Sequence, residues 1–139
     1  MSIISDRERA FLLRRRVGRL ATSDAASFPH VVPVCFAPGD DVLYTPIDEK
    51  PKRGTQLKRL ANIAGNPNVA FLADHYDEDW SQLGWVRLDG RADILHQGDE
   101  FETARRLLRN RYVQYATMNL FPLVAVRIAR VRSWGNLDC

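Results

Sequence analysis

Between Lys50 and Arg59 the chain carries five cations (Lys50, Lys52, Arg53, Lys58 and Arg59) and no acid. Cations at that density can converge on an anion when free backbone N–H groups join them, and the local periodicity supplies such groups. Leu57, Leu60, Ala61 and Ala64 recur at i, i+3, i+4 and i+7, which predicts a helix with one apolar stripe, closed by Gly65 and Asn66-Pro67. The cations therefore crowd the helix's N-terminal end. The macrodipole already carries about half a positive charge there, so each added cation is disfavoured by a few tenths of a kcal/mol. A bound phosphate removes the conflict; the competing reading is a basic loop whose charges point into water.

No other set of side chains forms a catalytic pattern, and catalytic residues stay unassigned. His30, His75 and His96 are scattered, without H-x-x-x-H or C-x-x-C spacing, so no metal site is expected. The G-x-S-x-G elbow, the G-x-x-x-x-G-K-[ST] loop and the G-x-G-x-x-G fingerprint are all missing. A phosphate cradle without a nucleophile or an acid–base pair points to a bound cofactor that carries the chemistry.

A chain of 139 residues suits one domain, 1–139, and its 45% hydrophobic and 27% charged composition is that of a globular protein. A net charge of +3 is too mild for a nucleic-acid partner. No apolar run reaches the ~18 residues of a membrane span, and the first ten residues lack a signal-peptide core. Cys35 and Cys139 make no disulfide framework, so the expectation is a reduced, cytoplasmic protein off the membrane.

Elements must hold the basic segment in place. Ser5 and Glu8 form a capping box ahead of Phe11 and Leu12, and Arg14, Arg15 and Arg16 read as that helix's solvated end. Strands are expected at 17–22, 30–37, 42–45, 68–74, 85–95 and 123–134. Pro33 points to an edge or a bulge in the second of these. An acidic, aromatic connection covers 75–84, and a helix opening at Asp99 carries Phe101, Ala104 and Leu108 on its inner face. Hairpin-length links and no βαβ repeat predict a mainly β fold with peripheral helices: a six-stranded antiparallel sheet curled into a small barrel.

Over essentially its whole length the sequence resembles the pyridoxamine-phosphate-oxidase-like, flavin-binding split-barrel superfamily. The resemblance rests on Phe28-Pro29-His30-Val31-Val32-Pro33-Val34, Lys50-Pro51-Lys52-Arg53, Leu57-Lys58-Arg59-Leu60-Ala61-Asn62-Ile63 with Asn66-Pro67, and Asp74-His75-Tyr76. Asp79-Trp80, Trp85-Val86-Arg87-Leu88-Asp89-Gly90-Arg91-Ala92 and the terminal Trp134 complete it. In detail it looks most like the deazaflavin (coenzyme F420)-dependent oxidoreductase branch.

The resemblance implies a homodimeric split barrel with the flavin or deazaflavin at the subunit interface, its phosphate held before and within the central helix. Counting back from Asn66-Pro67, the family's basic pair falls on Lys58-Arg59. Lys50, Lys52 and Arg53 form an extra segment; either set could hold the phosphate, and the other a second anionic group. Val34 matches the strand along which the ring lies, and Tyr44 and Thr45 the strand end that contacts the cofactor. Trp134 is the aromatic nearest in kind to a ring neighbour. The activity implied is that of an oxidoreductase moving hydride to or from an unidentified small molecule, with coenzyme F420 preferred over flavin mononucleotide (FMN). The alternative is a non-catalytic flavin, deazaflavin or haem binder.

Overall fold

The computed structural model describes residues 2–47 and 55–139, with side chains of the second segment from residue 58 onward. Helix α1, Asp6–Arg14, starts on the expected capping box. The Ser5 hydroxyl accepts from the Glu8 N–H, and the Glu8 carboxylate accepts from the Ser5 N–H. Phe11 and Leu12 bury its inner face.

The sheet comprises β1 (Gly18–Ser23), β2 (Pro29–Val34), β3 (Ala37–Pro38), β4 (Val42–Pro46), β5 (Asn68–His75), β6 (Gly84–Leu95) and β7 (Leu123–Gly135). All pairs are antiparallel, in the order β2-β1-β5-β6-β7-β4-β3. The long β6–β7 pair carries the curvature: a register shift between Asp89 and Gly90 bends it, and a Cβ at Gly90 would stand 2.0 Å from the Arg127 carbonyl oxygen. The fold is the expected curled antiparallel sheet with helices outside, with seven strands where six were expected.

The extra strand comes from a break at Cys35–Phe36, inside the stretch 30–37. There side chains replace ladder partners. The Phe36 N–H donates to the Tyr112 hydroxyl at 3.0 Å, Arg111 donates to the Phe36 carbonyl at 2.8 Å, and the Thr45 hydroxyl donates to the Cys35 carbonyl at 2.7 Å. Pro33 lies upstream of the break on β2, an edge strand, where its missing N–H costs the ladder nothing.

Helix α2, Thr55–Gly65, lies on the sheet with a different face from the one periodicity predicts. Ala61 and Ala64 are exposed and Leu60 is half-buried, whereas Arg59, Asn62 and Ile63 are buried. Burying Ile63 contributes ~1.5–3 kcal/mol, more than an alanine methyl can. Asn62 also finds a partner inside, its amide donating to the Thr22 hydroxyl at 3.0 Å. That buried pair fixes the helix's rotation and turns Arg59 inward.

Helix α3, Asp99–Arg111, buries Phe101, Ala104 and Leu108 against β3 and β4, as its pattern predicts. The arginine run after α1 is not simply solvated. Arg14 and Arg15 donate to the carbonyls of Leu137 and Cys139, and Arg16 stacks on Tyr112. Among the described residues no helix is long and apolar enough to cross a membrane.

Candidate functional site

Arg59 reaches the floor of a cleft of about 140 Å³ at the open end of β2. The walls come from Val17 just before β1, Pro33 and Val34 at the end of β2, Pro46 from the last position of β4, and Tyr115 from the short 3₁₀ turn Val113–Thr117 that follows α3. Cys35, at the strand break, completes one side. Arg59 is only 6% exposed, and among the described residues no aspartate, glutamate or histidine shares the lining. A guanidinium is a planar fork of N–H donors suited to phosphate or carboxylate. Apolar walls keep the local dielectric low, which strengthens any charge-assisted bond formed there.

Of the residues read from the sequence, Val34 and Arg59 meet in this cleft. Thr45 is fully buried just beneath it, and its hydroxyl is committed to the Cys35 carbonyl. Lys58 leaves α2 on another side, its Nζ 3.7 Å from the Asp24 carboxylate in the β1–β2 turn. Lys50, Lys52 and Arg53 lie outside the described residues.

Tyr44 faces α3 instead. Its hydroxyl donates to Glu100 at 2.9 Å, and Glu100 is in turn clamped by Arg127, which also holds Asp93 at 3.0 Å. Burial, with the Glu100 contact, pushes the Tyr44 phenol up to about 12; the Arg127 hydrogen bond holds Glu100 below its usual range, and Glu100 raises Arg127 further. These groups line a separate cavity of about 480 Å³ together with Arg9 and Asp40.

Trp134 sits opposite Trp85 and is 55% exposed. Leu123, at the start of the same strand, is opposite Pro46 of the cleft. Trp134 is not among the residues that line the cleft. It belongs to the sheet's outer face, with Leu72, Arg87 and Val31. There Asp89 joins Arg87 at 3.3 Å and Arg130 at 3.0 Å.

Sequence reasoning missed Cys35, Pro46 and Tyr115. The one signal was Tyr112-x-x-Tyr115 directly past the end of α3, where two aromatics outside a helix need something to cover. Among the described residues, no three His, Cys, Asp or Glu side chains gather as metal ligands.

The sequence model of the family described as pyridoxamine 5'-phosphate oxidase matches residues 4–135. No curated protein matches the chain. Among solved structures it is similar to a conserved hypothetical protein, Rv2991, from Mycobacterium tuberculosis, with a TM-score of 0.75 and 23% identity over 95% of this chain and 85% of that one. It is also similar to HutZ, the heme storage protein from Vibrio cholerae, with a TM-score of 0.73 and 15% identity over 97% and 95% of the two chains. A FAD-binding protein from Mesorhizobium loti gives 0.65 and 23% over 94% of each. At these identities the likeness is one of fold.

Proposed function

This chain belongs to the pyridoxamine 5'-phosphate oxidase family, and on that premise we propose that it binds a phosphorylated flavin-type cofactor and acts as an oxidoreductase on a small molecule. The observation that carries the proposal is Arg59, a nearly buried cation that lines a cleft with Val34, Pro46 and Tyr115. Its donor set fits a phosphate, and the walls from Val34 and Pro46 suit the apolar edge of a ring. When bound, such a cofactor supplies hydride transfer to or from a small substrate. The chain's own contribution is to anchor the phosphate at Arg59 and to exclude water with Val34, Pro46 and Tyr115. Thr45 holds the β2 end in position through the Cys35 carbonyl.

Coenzyme F420 is the preferred ligand over FMN in this reading. The support is charge: Lys50, Lys52 and Arg53 precede Arg59 in the sequence, more cations than one phosphate engages, and the deazaflavin coenzyme adds a string of carboxylates. The reading also takes the protein as a homodimer in the cytoplasm. Val31, Leu72 and Trp134 are exposed on one sheet face, an apolar surface that a second copy would cover. Cys35 and Cys139 are free thiols, as a reducing compartment keeps them.

A non-catalytic binder or carrier is the second reading, and one feature of the cleft favours it. Among the described residues neither a histidine nor a carboxylate lines it, which leaves the cleft without the commonest proton-transfer groups there. An absorption spectrum of the purified protein, with mass spectrometry of the ligand it releases, tests the choice. A flavin or deazaflavin that turns over with a reductant supports the oxidoreductase, and bound haem, or a flavin that never turns over, supports the carrier.

A further inference from the structure

Cys35 and Tyr115 form a divider, because both also line a second cavity of about 220 Å³ on the far side from Arg59. Arg16, Tyr112 and Val113 wall that second space. The Arg16 guanidinium lies over the Tyr112 ring, 4.6 Å from its centroid, and donates one hydrogen bond to the Arg111 carbonyl. Tyr112 is itself held rigidly. Its hydroxyl accepts from the Phe36 N–H at 3.0 Å and stands 2.9 Å from the Arg16 carbonyl, while the Tyr115 ring sits 5.3 Å away.

Arg16 is therefore stacked and oriented, and because it is exposed, its donors beyond the Arg111 bond face solvent and are open to a ligand. No carboxylate among the described residues pairs with it, in contrast to Arg7, Arg19, Arg87, Arg105, Arg127 and Arg130, each of which has an acid partner. A guanidinium whose plane is fixed in advance loses little freedom on engaging a planar acid.

We infer that Arg16 is a second anion station, binding a ligand carboxylate in the cavity beyond the Cys35–Tyr115 divider. The inference rests on the reading in which Arg59 anchors a phosphate. Since the two guanidiniums line different cavities, a single phosphate does not occupy both. The aromatic and apolar walls between them suit an uncharged stretch. The carboxylate has two sources: the glutamate tail of an elongated coenzyme, or a separate aromatic or apolar acid beside the cofactor.

The test compares wild type, Arg16→Gln and Arg16→Lys, each first checked for an unchanged melting temperature. Coenzyme F420 with its glutamate tail, the tail-free deazaflavin chromophore and FMN are titrated at low salt, and benzoate is titrated into the protein as purified. A charge-assisted contact of this kind changes affinity about tenfold or more. Arg16→Gln is expected to weaken either tailed F420 or benzoate by that factor, with partial recovery in Arg16→Lys. FMN and the tail-free chromophore should stay within about twofold. Loss with tailed F420 assigns the carboxylate to the coenzyme, and loss with benzoate assigns it to a separate acid. Unchanged affinity for both, or an equal loss with FMN, overturns the inference. Arg59→Gln is titrated with FMN in parallel: if it has no effect, the phosphate reading fails, while the benzoate result still reports on Arg16 alone.

Discussion

Lys58 and Arg59 are neighbours on α2 but serve different surroundings: Lys58 reaches the half-buried Asp24 carboxylate at 3.7 Å, while Arg59 is buried in the lining of the cleft. Successive helical residues diverge by about 100°, so an adjacent basic pair cannot share one orientation. The buried Asn62–Thr22 bond sets which of the two turns inward. Of the two, only Arg59 lines the cleft, and the chemistry proposed for the site rests on it.

Lys58→Ala should therefore be nearly silent. An exposed ion pair at this distance is worth ~0–1 kcal/mol. Chemical denaturation is expected to show a loss within that range, and titration should give FMN affinity within about threefold of wild type. A tenfold loss of affinity would mean that Lys58 swings to the ligand when it binds.

Asn62→Ala should do more harm from a position that touches no ligand. It leaves the Thr22 hydroxyl buried without its partner, which costs ~1–3 kcal/mol. Because Asn62 sets the rotation of α2, cofactor affinity should fall along with stability. Urea denaturation and FMN titration of the same preparation check both. A destabilised variant with unchanged affinity would separate the helix's rotation from the site.

The Tyr44–Glu100–Arg127 cluster predicts stability that declines at both extremes of pH. The raised Tyr44 phenol contributes stability that is complete below its unfolded value near 10 and is lost as pH rises toward about 12. The lowered Glu100 carboxyl contributes stability present above its unfolded value and lost as pH falls through the folded one. Tyr44→Phe should remove the alkaline arm and reduce the acid one, and Glu100→Gln should remove the acid arm and reduce the alkaline one, since each group contributes to the other's shift. Denaturation midpoints across pH 3–11 read this directly, and an unchanged alkaline arm in Tyr44→Phe would contradict it.

Much of this frame was legible in the residues. The capping box of Ser5 and Glu8, the alternation of Val86, Leu88 and Ala92 in β6, and the inner face of α3 are local patterns, and each formed as read. Two features were not local. The break after Val34 depends on Tyr112, 76 residues away from Phe36, replacing a ladder bond. The buried face of α2 follows from a polar pair, Asn62 with Thr22, that an apolar periodicity cannot register. The solvated reading of Arg14, Arg15 and Arg16 held only in part: Arg14 and Arg16 are exposed, yet most of the carbonyls and rings that engage the three come from distant segments.

The proposed dimer places its interface on the outer sheet face. Leu72→Asp puts a charge at a 36%-exposed position between Arg19 and Arg87 in register, on the face expected to meet the second copy. Sedimentation at micromolar concentration should give a dimer for wild type and a monomer with weakened cofactor binding for the variant. A wild-type monomer with full cofactor affinity would refute the shared site.

The phosphate anchor is tested most directly by titrating wild type and Arg59→Gln with FMN and with riboflavin, which lacks the phosphate. A charged contact of ~1.5–3 kcal/mol corresponds to roughly ten- to hundredfold in affinity. Wild type should bind FMN more tightly than riboflavin by about that factor, and Arg59→Gln, folded as judged by its melting curve, should bind both alike. Equal affinity of wild type for the two ligands, or an Arg59→Gln protein that still prefers FMN, would contradict the assignment of this cleft to a phosphate.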